Sequence, residues 1–155
     1  MAERKFSNNI KNLKPKKNSK WHQGYLPNNL CTKLFRSCKN EPIIYRSGLE
    51  LQFIQFCEAN PKVTRWASEP LAIKYFNRLA NKEQNYYPDY VIETAGGSKI
   101  IVEIKPYNQT IQPEATDSEW LKEAWITNTD KWNAANEFAH EHNAKFIIIT
   151  EKFFQ

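Results

Sequence analysis

The chain has 155 residues, with 22 Lys and Arg against 17 Asp and Glu. That length suits one domain with a core of ordinary size, and no run of ~18 apolar residues is present to form a membrane-spanning helix. The N-terminus has no apolar signal core, and the three cysteines, Cys31, Cys38 and Cys57, lack paired metal-ligand spacing, so a soluble intracellular protein with reduced thiols is expected.

Charge is uneven along the chain: residues 1–40 hold ten Lys and Arg against one acid, whereas residues 41–155 hold 12 against 16. Residues 1–20, rich in Lys and Asn, read as a basic arm without fixed structure in isolation. Its Lys11, Lys14, Lys16, Lys17 and Lys20 are candidate DNA-binding residues in the sense of non-specific phosphate contacts, because a basic arm suits a polyanionic partner. A solubilising tail is the alternative. Residues 21–42 gain aromatic and apolar content and read as an extension packed on the domain, with a short helix over 29–38.

Residues 47–59 have the pattern of a helix. Ser47 is the N-cap, Leu49, Phe53, Phe56 and Cys57 form the buried stripe, and Asn60-Pro61 ends it. Glu50 has two readings. It lies at capping-box spacing from Ser47, and it could instead face a neighbouring site as an acid from the first turn.

Residues 63–67 and 71–76 read as strands and 78–85 as a polar loop. The apolar runs 86–92 and 99–105 flank Ala95-Gly96-Gly97, which is a β-hairpin signature. With a three-residue loop Thr94 pairs with Ser98, and counting back sets Asp89 opposite Glu103. Opposed carboxylates, with Cβ atoms ~5 Å apart, are unfavourable unless a cation sits between them. A hard oxygen pair of this kind suits Mg²⁺, with Mn²⁺ as a substitute. Lys105 falls on the same face as Glu103, since side chains alternate along a strand. A solvated surface ion pair of the same residues is the bland alternative. Against it, Ile100, Ile101, Val102 and Ile104 form a run apolar on both faces, as in a strand covered on each side.

Residues 108–116 read as an irregular loop, and 118–126 and 130–142 as two helices split near Asn128-Thr129. Their packing faces are Trp120, Leu121, Ala124 and Trp125, then Trp132, Ala135, Phe138 and Ala139. His140 and His142 fall on the solvated end. Residues 145–150 read as a buried strand lying parallel to the one that ends at Lys105, reached by a helical crossover.

The pattern Pro88-Asp89 followed by Glu103-Ile104-Lys105 resembles the signature of the PD-(D/E)xK nuclease superfamily. Residues 44–50, Tyr87-Pro88-Asp89-Tyr90, Val102-Glu103-Ile104-Lys105-Pro106, Lys131-Trp132 and Ile149-Thr150-Glu151-Lys152 are further similar to the head completion nucleases of T-even-like tailed phages. More distantly they resemble the A-subunit endonucleases of heteromeric transposases. The resemblance spans residues 43–153 and implies an α/β restriction-endonuclease-like core, αβββαβ, whose mixed central sheet is flanked by helices, with residues 43–155 as the nuclease domain. It makes Asp89 and Glu103 metal ligands together with the Ile104 carbonyl, Lys105 the catalytic lysine and Glu50 the helix acid. The implied activity is Mg²⁺-dependent hydrolysis of double-stranded DNA during virion assembly in the host cytoplasm, with phage portal or neck proteins as partners. A non-catalytic adaptor that uses the same scaffold to bind DNA or a portal ring is the alternative.

Overall fold

In a computed structural model of the chain the described residues are 24–26, 31–35 and 43–155. The basic arm, most of the extension and Cys38 lie outside them. Strands β1 (Gly24–Leu26) and β2 (Ile43–Tyr45) form a small antiparallel pair ahead of helix α1 (Gly48–Ala59). Then follow β3 (Val63–Ser68), β4 (Ile73–Asn77), β5 (Lys82–Tyr86), β6 (Tyr90–Thr94), β7 (Lys99–Ile104), α2 (Glu119–Glu141) and β8 (Lys145–Ile149).

The central sheet has the order β3-β6-β7-β8, with β3, β6 and β7 antiparallel in turn and β8 parallel to β7. The architecture is therefore mixed α/β, and a separate β4-β5 hairpin is inserted between the first and second strands of the sheet. Alternation along the strands splits the core into two layers. Tyr90, Ile92, Val102 and Ile104 pack with Phe53, Ile54 and Cys57 of α1, while Val91 and Ile101 pack with Ala135 and Ala139 of α2 and with Tyr75 and Tyr86 of the inserted hairpin. Trp66, Tyr90, Phe53, Ile54, Leu71 and Ile101 are essentially fully buried, each contributing roughly 1.5–3 kcal/mol of transfer free energy.

Helix α1 begins where the sequence requires. Ser47 has extended backbone and its Oγ accepts the Glu50 N–H at 3.1 Å, which satisfies one of the free donors of the first turn. At the other end Lys33 Nζ donates to the carbonyls of Cys57 and Asn60, and Glu58 accepts the N–H groups of Thr32 and Lys33 and the Trp66 indole N–H. These bonds hold residues 31–35 alongside β3 rather than in the expected helix, with Leu34 bridged in parallel to Trp66. Cys31 and Cys57 are buried free thiols.

Two expected boundaries and one packing residue are corrected. The polar loop at 78–85 contains strand β5, whose partners on β4 include Tyr75 opposite Gln84; its stabilisation comes from side-chain hydrogen bonds such as Tyr75 Oη to Gln84 Oε1 at 2.9 Å, which leave no apolar pattern to read. The two helices after residue 118 are one, because the hydroxyl of Thr129 donates back to the Trp125 carbonyl at 2.7 Å and so is satisfied inside the helix. Trp120, expected on the packing face, is exposed in the first turn. Among the described residues no helix is long and apolar enough to cross a membrane.

Candidate active site

The β6-β7 turn sets the register on which the site depends. Thr94 N–H donates to the Ser98 carbonyl at 2.9 Å, which closes a three-residue loop, and Gly97 takes the left-handed φ of 84° that such a loop needs and that an L side chain disfavours. Glu93 then pairs with Lys99, Val91 with Ile101 and Tyr90 with Val102. One further step sets Asp89 across from Glu103. Because Val91 and Ile101 face α2, the residues two positions away, Asp89 and Glu103, belong to that same face, as does Lys105.

Each acid is fixed by a donor from another element. Asp89 Oδ2 accepts the Ile104 N–H at 2.7 Å, and the Asp89 carbonyl accepts the Glu69 N–H at 2.8 Å, so the residue is tied to β7 on one side and to the end of β3 on the other. Glu103 is buried, its Oε2 accepts the Tyr86 hydroxyl, and its Oε1 lies 3.7 Å from Lys105 Nζ. Tyr86 ends β5, which is how the inserted hairpin reaches the site.

Electrostatics here favour an added cation. Burial pushes the Asp89 carboxyl well above the usual carboxylate range, and the charges of Glu103 and Glu50 push it further, against the Ile104 amide and Lys105. Burial likewise raises Glu103, although Lys105, the Tyr86 hydroxyl and Lys131 all pull it down. The Tyr86 phenol is raised by burial and by Glu103, so it stays a hydrogen-bond donor.

Glu50 enters from the first turn of α1. Its Oε2 accepts the Arg46 N–H at 2.9 Å, one residue before the N-cap, so the carboxylate does fold back towards the chain that leads into the helix. Burial raises it, the Arg46 amide and guanidinium lower it, and Glu69 and Glu103 raise it again. Glu50 therefore ties down the chain ahead of the helix, through the Arg46 amide rather than that of the N-cap Ser47, and adds charge to the site. Among the described residues no three His, Cys, Asp or Glu side chains gather to hold a metal ion, while the charge of Glu50 acts on Asp89 and that of Glu103 acts on Glu50.

Arg46 forms an ion pair with Glu69, a residue held at a left-handed φ of 47° between Ser68 and Pro70. Sequence reasoning did not single out this pair, nor Tyr86 as the donor to Glu103, and it gave Lys131 on α2 only as part of the resemblance, with no role; the Lys131 ammonium lies 5.7 Å from the centre of the Tyr86 ring. The signal available was faint: Tyr86 and Lys131 are far apart in sequence and meet only because α2 packs against the β4-β5 hairpin.

The Asp89-Glu103 pair fits a hard divalent cation. Both donors are carboxylates on one face, burial raises each of them, and the charge of Glu103 raises Asp89 further, so that both gain from a nearby positive charge. Ile104, whose carbonyl was the third expected donor, lies at the end of β7 beside the pair. Lys11, Lys14, Lys16, Lys17 and Lys20 lie outside the described residues.

Residues 60–151 match the family described as TnsA-like endonuclease N terminal. The chain is also 34% identical over 118 residues to the "Head completion nuclease" of Enterobacteria phage T4, a match that covers 70% of this chain and 79% of that protein. Asp89, Glu103, Lys105 and Lys131 fall within the family match, while Glu50 precedes it. On this evidence the chain belongs to the TnsA-like endonuclease family and is a relative of the phage T4 head completion nuclease.

Proposed function

We propose that the protein is a divalent-metal-dependent DNA nuclease with a PD-(D/E)xK core that hydrolyses phosphodiester bonds. One observation supports this reading: the hairpin register that pairs Tyr90 with Val102, so that Asp89 bonds to the Ile104 amide next to Glu103, whose Oε1 lies 3.7 Å from Lys105 Nζ. In this reading Asp89 and Glu103, with the Ile104 carbonyl, hold Mg²⁺ or Mn²⁺. Such an ion, when bound, supplies Lewis acidity and charge neutralisation at the scissile phosphate.

The chain's own groups do the rest. Lys105 offers the ammonium that orients the attacking water and stabilises charge as it develops on the phosphate oxygens. The Ile104 amide holds Asp89 and the Tyr86 hydroxyl holds Glu103, so neither carboxylate has to be ordered when substrate arrives. Glu50 adds negative charge from α1 without leaving its bond to the Arg46 amide.

The relative's printed name, "Head completion nuclease", supports a role in phage head completion; double-stranded DNA as the substrate and portal or neck proteins as partners belong to the same proposal. In this reading the protein acts in the host cytoplasm during virion assembly, and the Lys-rich arm contributes phosphate contacts. Incubating supercoiled plasmid with the protein in Mg²⁺, and separately in EDTA, tests the activity. Nicked or linear product in Mg²⁺ alone is expected. Stable DNA binding with no cleavage in Mg²⁺ or Mn²⁺ would instead favour a DNA-binding adaptor.

A further inference from the structure

Lys131 is a half-buried lysine in the middle of α2. Its ammonium lies 5.9 Å from the centre of the Tyr75 ring and 5.7 Å from that of Tyr86. Both rings are pinned at their far ends, Tyr75 by its hydroxyl to Gln84 and Tyr86 by its hydroxyl to Glu103. The preceding residue is pinned as well, since Asp130 accepts the Arg78 N–H at 3.0 Å and the Arg78 Nε–H at 2.7 Å. Lys131 is thus held by the hairpin on one side and the helix on the other.

What it lacks is an anion of its own. Among the described residues its ammonium makes no hydrogen bond or ion pair and has only the two ring faces. The charges that act on it are those of the site: Lys105 repels it, and Glu103 and Asp89 attract it. Burial depresses its ammonium more than any of these. A partly desolvated cation that lies against two ring faces, within the field of two carboxylates and a second lysine, gains most from an anion that arrives from outside.

We propose that Lys131 is a substrate-contacting residue whose ammonium binds a phosphate oxygen of the DNA strand held at the Asp89-Glu103 site. This rests on reading that site as a phosphodiesterase centre. The competing role is purely internal, in which Lys131 only offsets the negative charge of Glu103 and Asp89.

Binding and cleavage are measured separately, so that the two readings fail separately. Affinity for a short duplex is measured in EDTA over a range of salt for wild type, K131Q and K131R, and then for duplexes carrying one neutral methylphosphonate linkage at each position in turn. Loss of one phosphate contact is expected to lower the slope of log affinity against log salt by about 1 in K131Q. Wild type is expected to lose about ten-fold in affinity at one linkage whose neutralisation K131Q does not sense, and K131R is expected to restore both. Thermal melting without DNA identifies any folding defect in K131Q, in which case K131M, which keeps the aliphatic stem between the two rings and removes only the charge, takes its place in both measurements. An unchanged salt slope and an unchanged methylphosphonate profile in K131Q would overturn the proposal, even if its cleavage in Mg²⁺ were slower. Wild type that binds with these signatures yet never cleaves would overturn the nuclease reading and leave the phosphate contact standing.

Discussion

Asp89 Oδ2 accepts the Ile104 N–H at 2.7 Å, so the acid that precedes β6 is fastened to the main chain next to Glu103, one position beyond the Tyr90-Val102 pair that ends the ladder. The bond locks two carboxylates together in a buried place, and stability must therefore depend on what neutralises them.

Burial raises Asp89 and Glu103 above ordinary carboxylates, with Glu103 and Glu50 adding to the effect on Asp89. A carboxyl that holds its proton more tightly in the folded than in the unfolded chain stabilises the fold below its unfolded value of about 4, and that contribution is lost as pH rises through the folded value. In EDTA the protein should melt higher at pH 5 than at pH 8, and Mg²⁺ should recover part of the difference at pH 8. Asp89→Asn should flatten this dependence and raise the metal-free Tm at pH 8 by roughly 2–4 °C, the shift that about 1 kcal/mol produces in a chain of this size. Scanning calorimetry in EDTA checks both, and identical pH dependence in wild type and variant would contradict them.

Tyr86→Phe removes the donor to Glu103 Oε2 and should leave the fold intact, since the ring still packs with Tyr75, Val91 and Ile101. The hydroxyl lowers the proton affinity of Glu103, so its loss should make the site compete less well for Mg²⁺ at neutral pH. A several-fold rise in the Mg²⁺ concentration for half-maximal cleavage is expected, with kcat at saturating Mg²⁺ changed less. Metal titration of initial rates measures this, and an unaltered titration would remove Tyr86 from the site.

The hairpin register was legible because three residues, Ala95-Gly96-Gly97, fix the loop length, and a one-residue difference would send Asp89 and Glu103 to opposite faces. Helix α1 was legible from Ser47 and the spacing of Phe53 and Cys57, which is local information. Strand β5 was not, because Lys82, Glu83, Gln84 and Asn85 carry no apolar alternation and the strand is held through polar pairs with β4. The unbroken α2 was hidden for a related reason: Asn128-Thr129 looks like a break until the Thr129 side chain is seen bonded to the Trp125 carbonyl four residues back. Lys131 stands in the sequence only as part of the Lys131-Trp132 resemblance, and its place beside Tyr75 and Tyr86 comes from the packing of α2 on the inserted hairpin.

Glu50→Gln separates capping from charge. Gln can still accept the Arg46 N–H, so Tm should stay within about 1 °C of wild type, whereas the lost charge should weaken the hold on a cation and reduce cleavage at limiting Mg²⁺ by about ten-fold. Glu50→Ala should in addition cost about 1 kcal/mol in unfolding experiments. Normal cleavage by Glu50→Gln at every Mg²⁺ concentration would assign Glu50 to the cap alone.

Deleting residues 1–20 removes seven Lys and Arg and one acid. If these lysines contact phosphates, the slope of log affinity against log salt should fall by several units, while cleavage at low salt continues. Fluorescence anisotropy on a labelled duplex gives the slope, and equal slopes for the full and shortened chains would show that the arm serves a different partner.

The central claim is that Asp89 and Glu103 act together as one site with Lys105, and the most direct measurement is plasmid cleavage in Mg²⁺ by wild type, Asp89→Asn, Glu103→Gln and Lys105→Ala, each shown by melting to be folded. The account predicts cleavage by wild type and a loss of at least a hundred-fold, on the order expected for removing a group that stabilises the transition state, in all three variants. Wild-type cleavage rates in folded Asp89→Asn or Glu103→Gln would contradict it.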